Sequence, residues 1–383
     1  MTVVWSFPTR ILFGENAASA VGTEAKALGA TRALIVTDQG IEASDVIDPV
    51  VASLKAAGIE SSIFADVSSN PLEAEVLSAT DAYRQANADL VVGVGGGSPI
   101  DVAKLVRLAI THPLPLSQYT EASGGDARIT KPLPPMIALP TTAGTGSEVG
   151  RSAVVTLQSS GQKAVLFSPS LIPNVAVLDP ALSAGLPPRV TAATGMDALT
   201  HGIEAYCALG DHPMADAIAM QCVALTVSHL ETAVHDGKDL DARGGMLKAA
   251  TLGGVAFQKG LGACHSLAHP LSAVLGMHHG LANALCLPAV LDFNRSTVMP
   301  KIARIARVMG VRAEDEETLA FECAGAVRSL RKKIGLPEGL AAAGVSEEVL
   351  PKLAERALAD PCHQLNPRPC TAEDMLALYR ASM

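Results

Sequence analysis

The segment DLVVGVGGGSPIDVAK, residues 89–104, decides the fold. An apolar run ends in three consecutive glycines, Gly95, Gly96 and Gly97, and a helical pattern begins directly after them. A run of this kind, apolar at every position, predicts a strand buried on both faces. Ser98 is placed to cap the following helix and Pro99 suits its first turn. Glycines let the backbone approach a ligand closely, and the helix start offers free N–H groups to a pyrophosphate. The spacing is not G-x-G-x-x-G, and a tight strand–helix turn without a ligand has the same local pattern.

Outward from this unit, strand and helix alternate. ALIVTD (33–38), SSIFADV (61–67) and MIALPTTAG (136–144) read as strands, and 73–88 and 99–110 as helices. AVVTL (153–157), KAVLF (163–167) and NVAVLDP (174–180) continue the β-rich part. Alternation predicts a parallel sheet covered on both faces. After about residue 186 the texture becomes long Ala- and Leu-rich helical segments with short Gly/Pro breaks. The expected architecture is an α/β dinucleotide-binding domain, 1–185, and an all-α metal-binding domain, 186–383, joined near SAGLPPRV (183–190).

Composition narrows the function. The chain has 383 residues, 49% hydrophobic and 17% charged, with a net charge of −9. No basic run is present, so nucleic acid and anionic membrane surfaces are poor partners. The apolar segments are broken by Gly, Pro or charge, which predicts no membrane-spanning helix. The first residues lack the pattern of a secretory signal. Seven cysteines with no CxxC pair read as free thiols of a reducing cytoplasm, and they give no support to a thiolate zinc site.

Two further loops extend the nucleotide reading. Asp38 ends the first strand of the alternating region, where a carboxylate can bind ribose hydroxyls and repel a 2′-phosphate. This favours NAD over NADP. As part of TDQG it also suits a turn. LPTTAGTGSE (139–148) follows another strand, and Thr141 and Thr142 can hydrogen-bond phosphate or ribose.

The helical half carries a second constellation. In GMDALTHGIEAY (195–206), Asp197 and His201 lie four apart and leave one helix face together. In CHSLAHPLSAVLGMHHGLANA (264–284), His265 and His269 repeat this spacing, and His278 and His279 follow. Each histidine alone could be a satisfied core residue. As a cluster they suit one ion, Fe²⁺ or Zn²⁺, held by a carboxylate and imidazoles. Spacing does not choose between His265 and His269, or between His278 and His279.

GGGSPIDVAK, PTTAGTGSEV, LDPALSAGLPPRVTAATGMDALTHGIEAY and HSLAHPLSAVLGMHHGLANALCLP, in this order, resemble the iron-dependent alcohol dehydrogenases. The likeness runs from ILFG (11–14) to NPRPCTAEDMLALY (366–379). It implies metal ligation by Asp197, His201, His265 and His279, with His269 near the substrate as part of a proton path. It implies dinucleotide contacts from Asp38, Gly95, Gly96, Gly97, Ser98, Asp101, Thr141, Thr142, Ser147 and Lys163, the last read as a mid-strand lysine. The implied reaction exchanges hydride between nicotinamide and a small alcohol or aldehyde, the metal acting as Lewis acid. A homodimer is also implied.

Departures from the family pattern bear on substrate. Arg151 and Ser152 follow Gly150, and Gln258 and Lys259 follow Phe257. Lys259 is placed to reach an acidic substrate group, or else ends a helix in solvent with Gly260 as its cap. Cys362 belongs to a C-terminal segment that in the family approaches the pocket. A lyase like 3-dehydroquinate synthase would need more basic residues for a phosphorylated substrate. A maleylacetate reductase would lack the metal shell.

Overall fold

The computed structural model describes residue 7 and residues 9–383, and the chain divides into two compact units. One comprises Phe7–Thr142 and Ser147–Ala184. The other comprises Ala143–Gly146 and Gly185–Met383.

The first unit is built on a six-stranded sheet. Its strands are β1 (Arg10–Phe13), β2 (Arg32–Val36), β3 (Glu60–Phe64), β4 (Leu90–Gly95), β5 (Met136–Pro140) and β8 (Val175–Leu178), in the order β1-β8-β5-β4-β2-β3. Every pairing in it is parallel. The strands that read as unbroken apolar runs are the central ones. All six residues of β4 and all five of β5 are buried, whereas β3, at the edge, exposes Glu60–Ile63. Each Val or Leu removed from water in this way contributes about 1.5–3 kcal/mol. β6 (Ser152–Thr156) and β7 (Lys163–Phe167) form a separate antiparallel pair.

β2 lies between β3 and β4, so the strand order reverses there. Ligands of open α/β sheets sit at the carboxyl ends of strands at such a reversal. The register puts Val36 beside Gly93 and Gly95 beside Pro140. Residues 37–38, 95–98 and 141–142 therefore leave neighbouring strands at the same end.

The second unit is helical. Helices Pro188–Cys207, Pro213–His235, Leu240–Ala256, Ala263–Leu275 and His279–Asn294 surround a core that includes Met196, Leu199, Val223, Leu230, Leu267 and Leu285. Residues 143–146 group with these helices because their glycines pack on them. A Cβ on Gly144 would meet Thr194 at 2.8 Å, and one on Gly146 would meet Gly254 at 2.6 Å.

Among the described residues, one helix, Pro213–His235, is long and apolar enough to cross a membrane by length and composition, so the premise that Gly, Pro or charge breaks every such run does not hold there. Its Ala219, Cys222, Val223 and Leu230 are instead part of the helical core. Its apolarity serves packing against neighbouring helices.

Candidate active site

In the α/β unit, the helix after the glycine run is Gly97–Thr111, and its N-cap is Gly96, not Ser98. Gly96 has no side chain to cap the first N–H groups. Ser98 Oγ donates instead to the Ser69 carbonyl at 3.0 Å. Gly95 has φ +145°, and a Cβ there would lie 2.7 Å from Pro99 Cγ, so this turn requires glycine. Thr142 packs against Gly96, and the Thr141 N–H donates to the Gly95 carbonyl at 2.9 Å. β2 stops at Val36. Asp38 caps the short helix Gln39–Glu42, accepting from the Ile41 N–H at 3.0 Å. It remains half-buried at the strand's end.

Asp101 and Ser147 bond to each other. Asp101 accepts from Ser147 Oγ at 2.5 Å and from the Val154 N–H at 3.0 Å. Lys104 completes the cluster, donating to Ser147 Oγ at 2.8 Å and to the Ser152 carbonyl at 2.7 Å. Burial raises Asp101 and pulls Lys104 down to about 8. This internal network ties the helix to β6. Lys163 begins β7 and is exposed, so it is not mid-strand. The Arg151 guanidinium stacks over the Phe167 ring at 5.2 Å, and no carboxylate faces it among the described residues.

In the helical unit, four side chains meet around one oxygen. Asp197 and His201 share the Pro188–Cys207 helix, one turn apart. His265 belongs to Ala263–Leu275. That helix ends at Gly276 in the left-handed conformation (φ +67°), and a new helix starts at His279. The break turns His279 toward the cluster and leaves His278 exposed at the N-cap. Asp197 Oδ1 lies 3.5 Å from His279 Nε2 and 3.9 Å from the Nε2 atoms of His265 and His201. Ligand atoms of Asp197, His265 and His279 all fall within 4.8 Å of one another, and the His201 ring stacks on His265 at 4.8 Å. Four donors each about 2.1 Å from a tetrahedral ion would be about 3.4 Å apart, so the oxygen-to-nitrogen distances fit.

Gly280 makes this closeness sterically allowed. A Cβ there would sit 2.0 Å from the Ala193 carbonyl oxygen and 3.2 Å from Asp197 Cβ.

Charge and hydrogen bonds prepare the set. Burial raises Asp197, but His201, His279, His265 and the Asn283 amide outweigh it and hold the carboxyl at about 2. Burial pushes His201 down to about 4 and His279 well down, so both are neutral donors at pH 7. Burial also lowers His265, but Glu204 and Asp197 more than reverse this. Glu204 Oε2 accepts from His265 Nδ1–H at 2.5 Å, which directs the Nε2 lone pair into the cluster, where the Asn283 amide nitrogen lies 3.3 Å from it and 3.2 Å from His279 Nε2. Asn283 Nδ2 donates to Asp197 Oδ1 at 2.7 Å. Both partners escaped the sequence reading. Glu204 lies seven residues after Asp197 and Asn283 four after His279, so each shares a helix face with a ligand.

His269 is not in this set. Its ring stacks on His279 at 5.2 Å, and its Nδ1–H donates to Asp360. Phe257 lies 5.0 Å from the His201 ring. Cys362 is half-buried, with its N–H on Asp360 Oδ1.

Lys259 contradicts its expectation. The side chain is buried, ion-paired with Asp216, and donates to the Tyr206 carbonyl at 3.1 Å. Lys301 donates to the same carbonyl at 2.6 Å. The lysine charge is used at the C-terminus of the helix that carries Asp197, where cations are favoured. It is neither in solvent nor free for a substrate. Gly260 does cap the short turn Phe257–Lys259.

Residues 8–180 match the iron-containing alcohol dehydrogenases, and residues 191–383 match the C-terminal part of the Fe-containing alcohol dehydrogenase family. The chain is 41% identical over 380 residues to a 4-hydroxybutyrate dehydrogenase of Cupriavidus necator, covering 98% of each. It is 36% identical over 379 residues to an NAD-dependent methanol dehydrogenase of Bacillus methanolicus, covering 98% of each. The crystal structure of a 1,3-propanediol oxidoreductase superposes with a TM-score of 0.97 at 39% identity, over the whole of both chains.

Proposed function

The chain belongs to the iron-containing alcohol dehydrogenases, oxidoreductases acting on CH–OH groups, and from this premise we propose that Asp197, His201, His265 and His279 hold its metal and that NAD is its hydride carrier. The observation that carries the reading is one ionised carboxylate oxygen within 3.5–3.9 Å of three imidazole nitrogens. The donor set is one oxygen and three nitrogens without thiolate, which suits Fe²⁺ and also accepts Zn²⁺. When bound, the ion supplies Lewis acidity toward the substrate oxygen, and the nicotinamide accepts or supplies hydride.

The protein's own residues do the remainder. Glu204 fixes His265 with its lone pair outward, and Asn283 orients Asp197. Gly96 and Gly97 leave the first N–H groups of the Gly97–Thr111 helix open to a pyrophosphate. Asp38 disfavours a 2′-phosphate, so NAD is preferred to NADP. Asp101 and Ser147 act on the nucleotide only indirectly, by fixing the loop to that helix.

A small alcohol or aldehyde is the substrate. With Lys259 neutralised by Asp216, an acidic substrate group is supported only by one relative being a 4-hydroxybutyrate dehydrogenase. Pairing into a homodimer is supported by β1, which among the described residues is an edge strand with Ile11 exposed.

The test loads metal-free protein with Fe²⁺ or Zn²⁺ and follows NADH consumption with neutral aldehydes and with 4-oxobutanoate. Turnover that depends on metal and is lost in Asp197→Asn is expected; metal-independent turnover overturns the reading. A kcat/KM for 4-oxobutanoate no higher than that for butanal would remove the acidic substrate class.

A further inference from the structure

The helical unit contains a cavity of about 410 Å³, and none of Asp197, His201, His265 and His279 lines it. That volume lies in the range of small-molecule sites. Its walls are the start of the Pro188–Cys207 helix, the break between the Ala263–Leu275 and His279–Asn294 helices, Leu336 and residues 343–345. Leu336 and Val345 are buried in the wall, Met277 is half-buried, and Leu275 is left 43% exposed. One end is polar. Arg189 lines it, is exposed, and among the described residues its side chain has no ion pair, hydrogen bond or ring contact. Arg189 is the second residue of its helix, where the helix dipole disfavours a cation, so it does not serve the helix. Neither of the two helices that start at the cavity has an acidic residue in its first turn. On a chain of net charge −9, this end offers positive charge without a partner.

We propose that this cavity is a second ligand site, taking an aliphatic monocarboxylate with its carboxylate on Arg189 and its chain against Leu275, Leu336 and Val345. A guanidinium offers a carboxylate two parallel N–H bonds, which a neutral amphiphile cannot use. A bare anion would answer Arg189 and leave Leu275 in water. A carboxylate with an apolar chain satisfies both ends at once, and covering apolar side chains contributes with the area removed from water. The site needs neither the ion nor the nucleotide, so it stands apart from the dehydrogenase reading above.

The test titrates zinc-loaded protein, which is diamagnetic, with octanoate, octanamide and inorganic phosphate. Binding is followed by calorimetry and by ¹H–¹³C spectra of protein labelled at the methionine methyl groups. Octanoate should bind and move the Met277 signal, identified as the one missing from Met277→Leu. Octanamide and phosphate should bind at least about tenfold more weakly. Arg189→Gln should weaken octanoate about tenfold or more, the loss expected for a charged hydrogen bond. Ala343→Trp, which fills the cavity from its half-buried wall, should abolish binding. If Ala343→Trp does not fold, Arg189→Gln and the Met277 signal still decide. The proposal is overturned if octanoate does not bind, or if it binds without moving Met277, as it would by ligating the zinc. It is equally overturned if Arg189→Gln binds octanoate unchanged, or if octanamide or phosphate binds as tightly as octanoate. Binding is read without turnover, so its failure is distinct from failure of the dehydrogenase reading.

Discussion

Glu204 Oε2 lies 2.5 Å from His265 Nδ1, and the same carboxylate accepts the Cys264 N–H through Oε1 at 2.6 Å. One side chain therefore anchors the start of the Ala263–Leu275 helix and sets the tautomer of His265, a proposed metal ligand. Glu204→Gln keeps an acceptor for Cys264 but offers an N–H to His265. The imidazole must then protonate Nε2, which removes the lone pair. Metal affinity should fall about 10- to 100-fold, measured by competition with a chromogenic chelator. Unchanged affinity would mean that Glu204 is only a helix anchor.

Asp38 combines a structural and a recognition role, and the two can be separated. Asp38→Ser retains a good N-cap for Gln39–Glu42 while removing the negative charge. The expected result is a rise in kcat/KM with NADPH of about tenfold and a fall with NADH, at unchanged thermal stability. A variant equally selective for NADH would place ribose recognition elsewhere.

Lys259 tests the corrected assignment. Lys259→Met leaves Asp216 with Lys301 at 3.7 Å, and Asp216 is still 30% exposed. The stability loss should then stay at about 1–3 kcal/mol, below the value for a fully buried pair broken on one side. Selectivity between neutral and acidic aldehydes should not move. A selective loss on acidic aldehydes would return Lys259 to the substrate.

Asp360 predicts an acid limb. Burial would raise its pKa, but the bonds from His269, Cys362 and Ser266 hold the carboxyl well below the usual range. A carboxylate depressed in the folded state contributes fully above its unfolded value of about 3.9 and loses that contribution as pH falls through the folded value. In urea titrations of metal-free protein, the unaltered chain should exceed Asp360→Asn in stability at pH 6, and the gap should narrow below about pH 4. A gap constant from pH 6 to pH 3 contradicts this.

Much of this was legible in the amino-acid order, and the remainder has physical reasons. The strand–glycine–helix segment and the four-residue spacings are local signals, because they follow from strand and helix geometry alone. The choice of His279 over His278 depends on the break at Gly276, whose direction no spacing reveals. The Asp360–His269 bond joins residues 91 apart, and the Lys259–Asp216 pair residues 43 apart; such partners exist only in the folded chain. Ser98 was read as a cap because serine favours that position, but the helix starts two residues earlier and Gly96 occupies it. Pro213–His235 carries its apolar length in the sequence, but its place in a protein core comes only with the fold.

The contact at Gly280 limits how this enzyme can be re-engineered. A methyl group there would strike the Ala193 carbonyl and wedge the two helices apart, carrying His279 away from Asp197. Position 280 therefore has to stay invariant in any library, for every larger side chain there would pull the carboxylate and imidazole apart whatever else is changed.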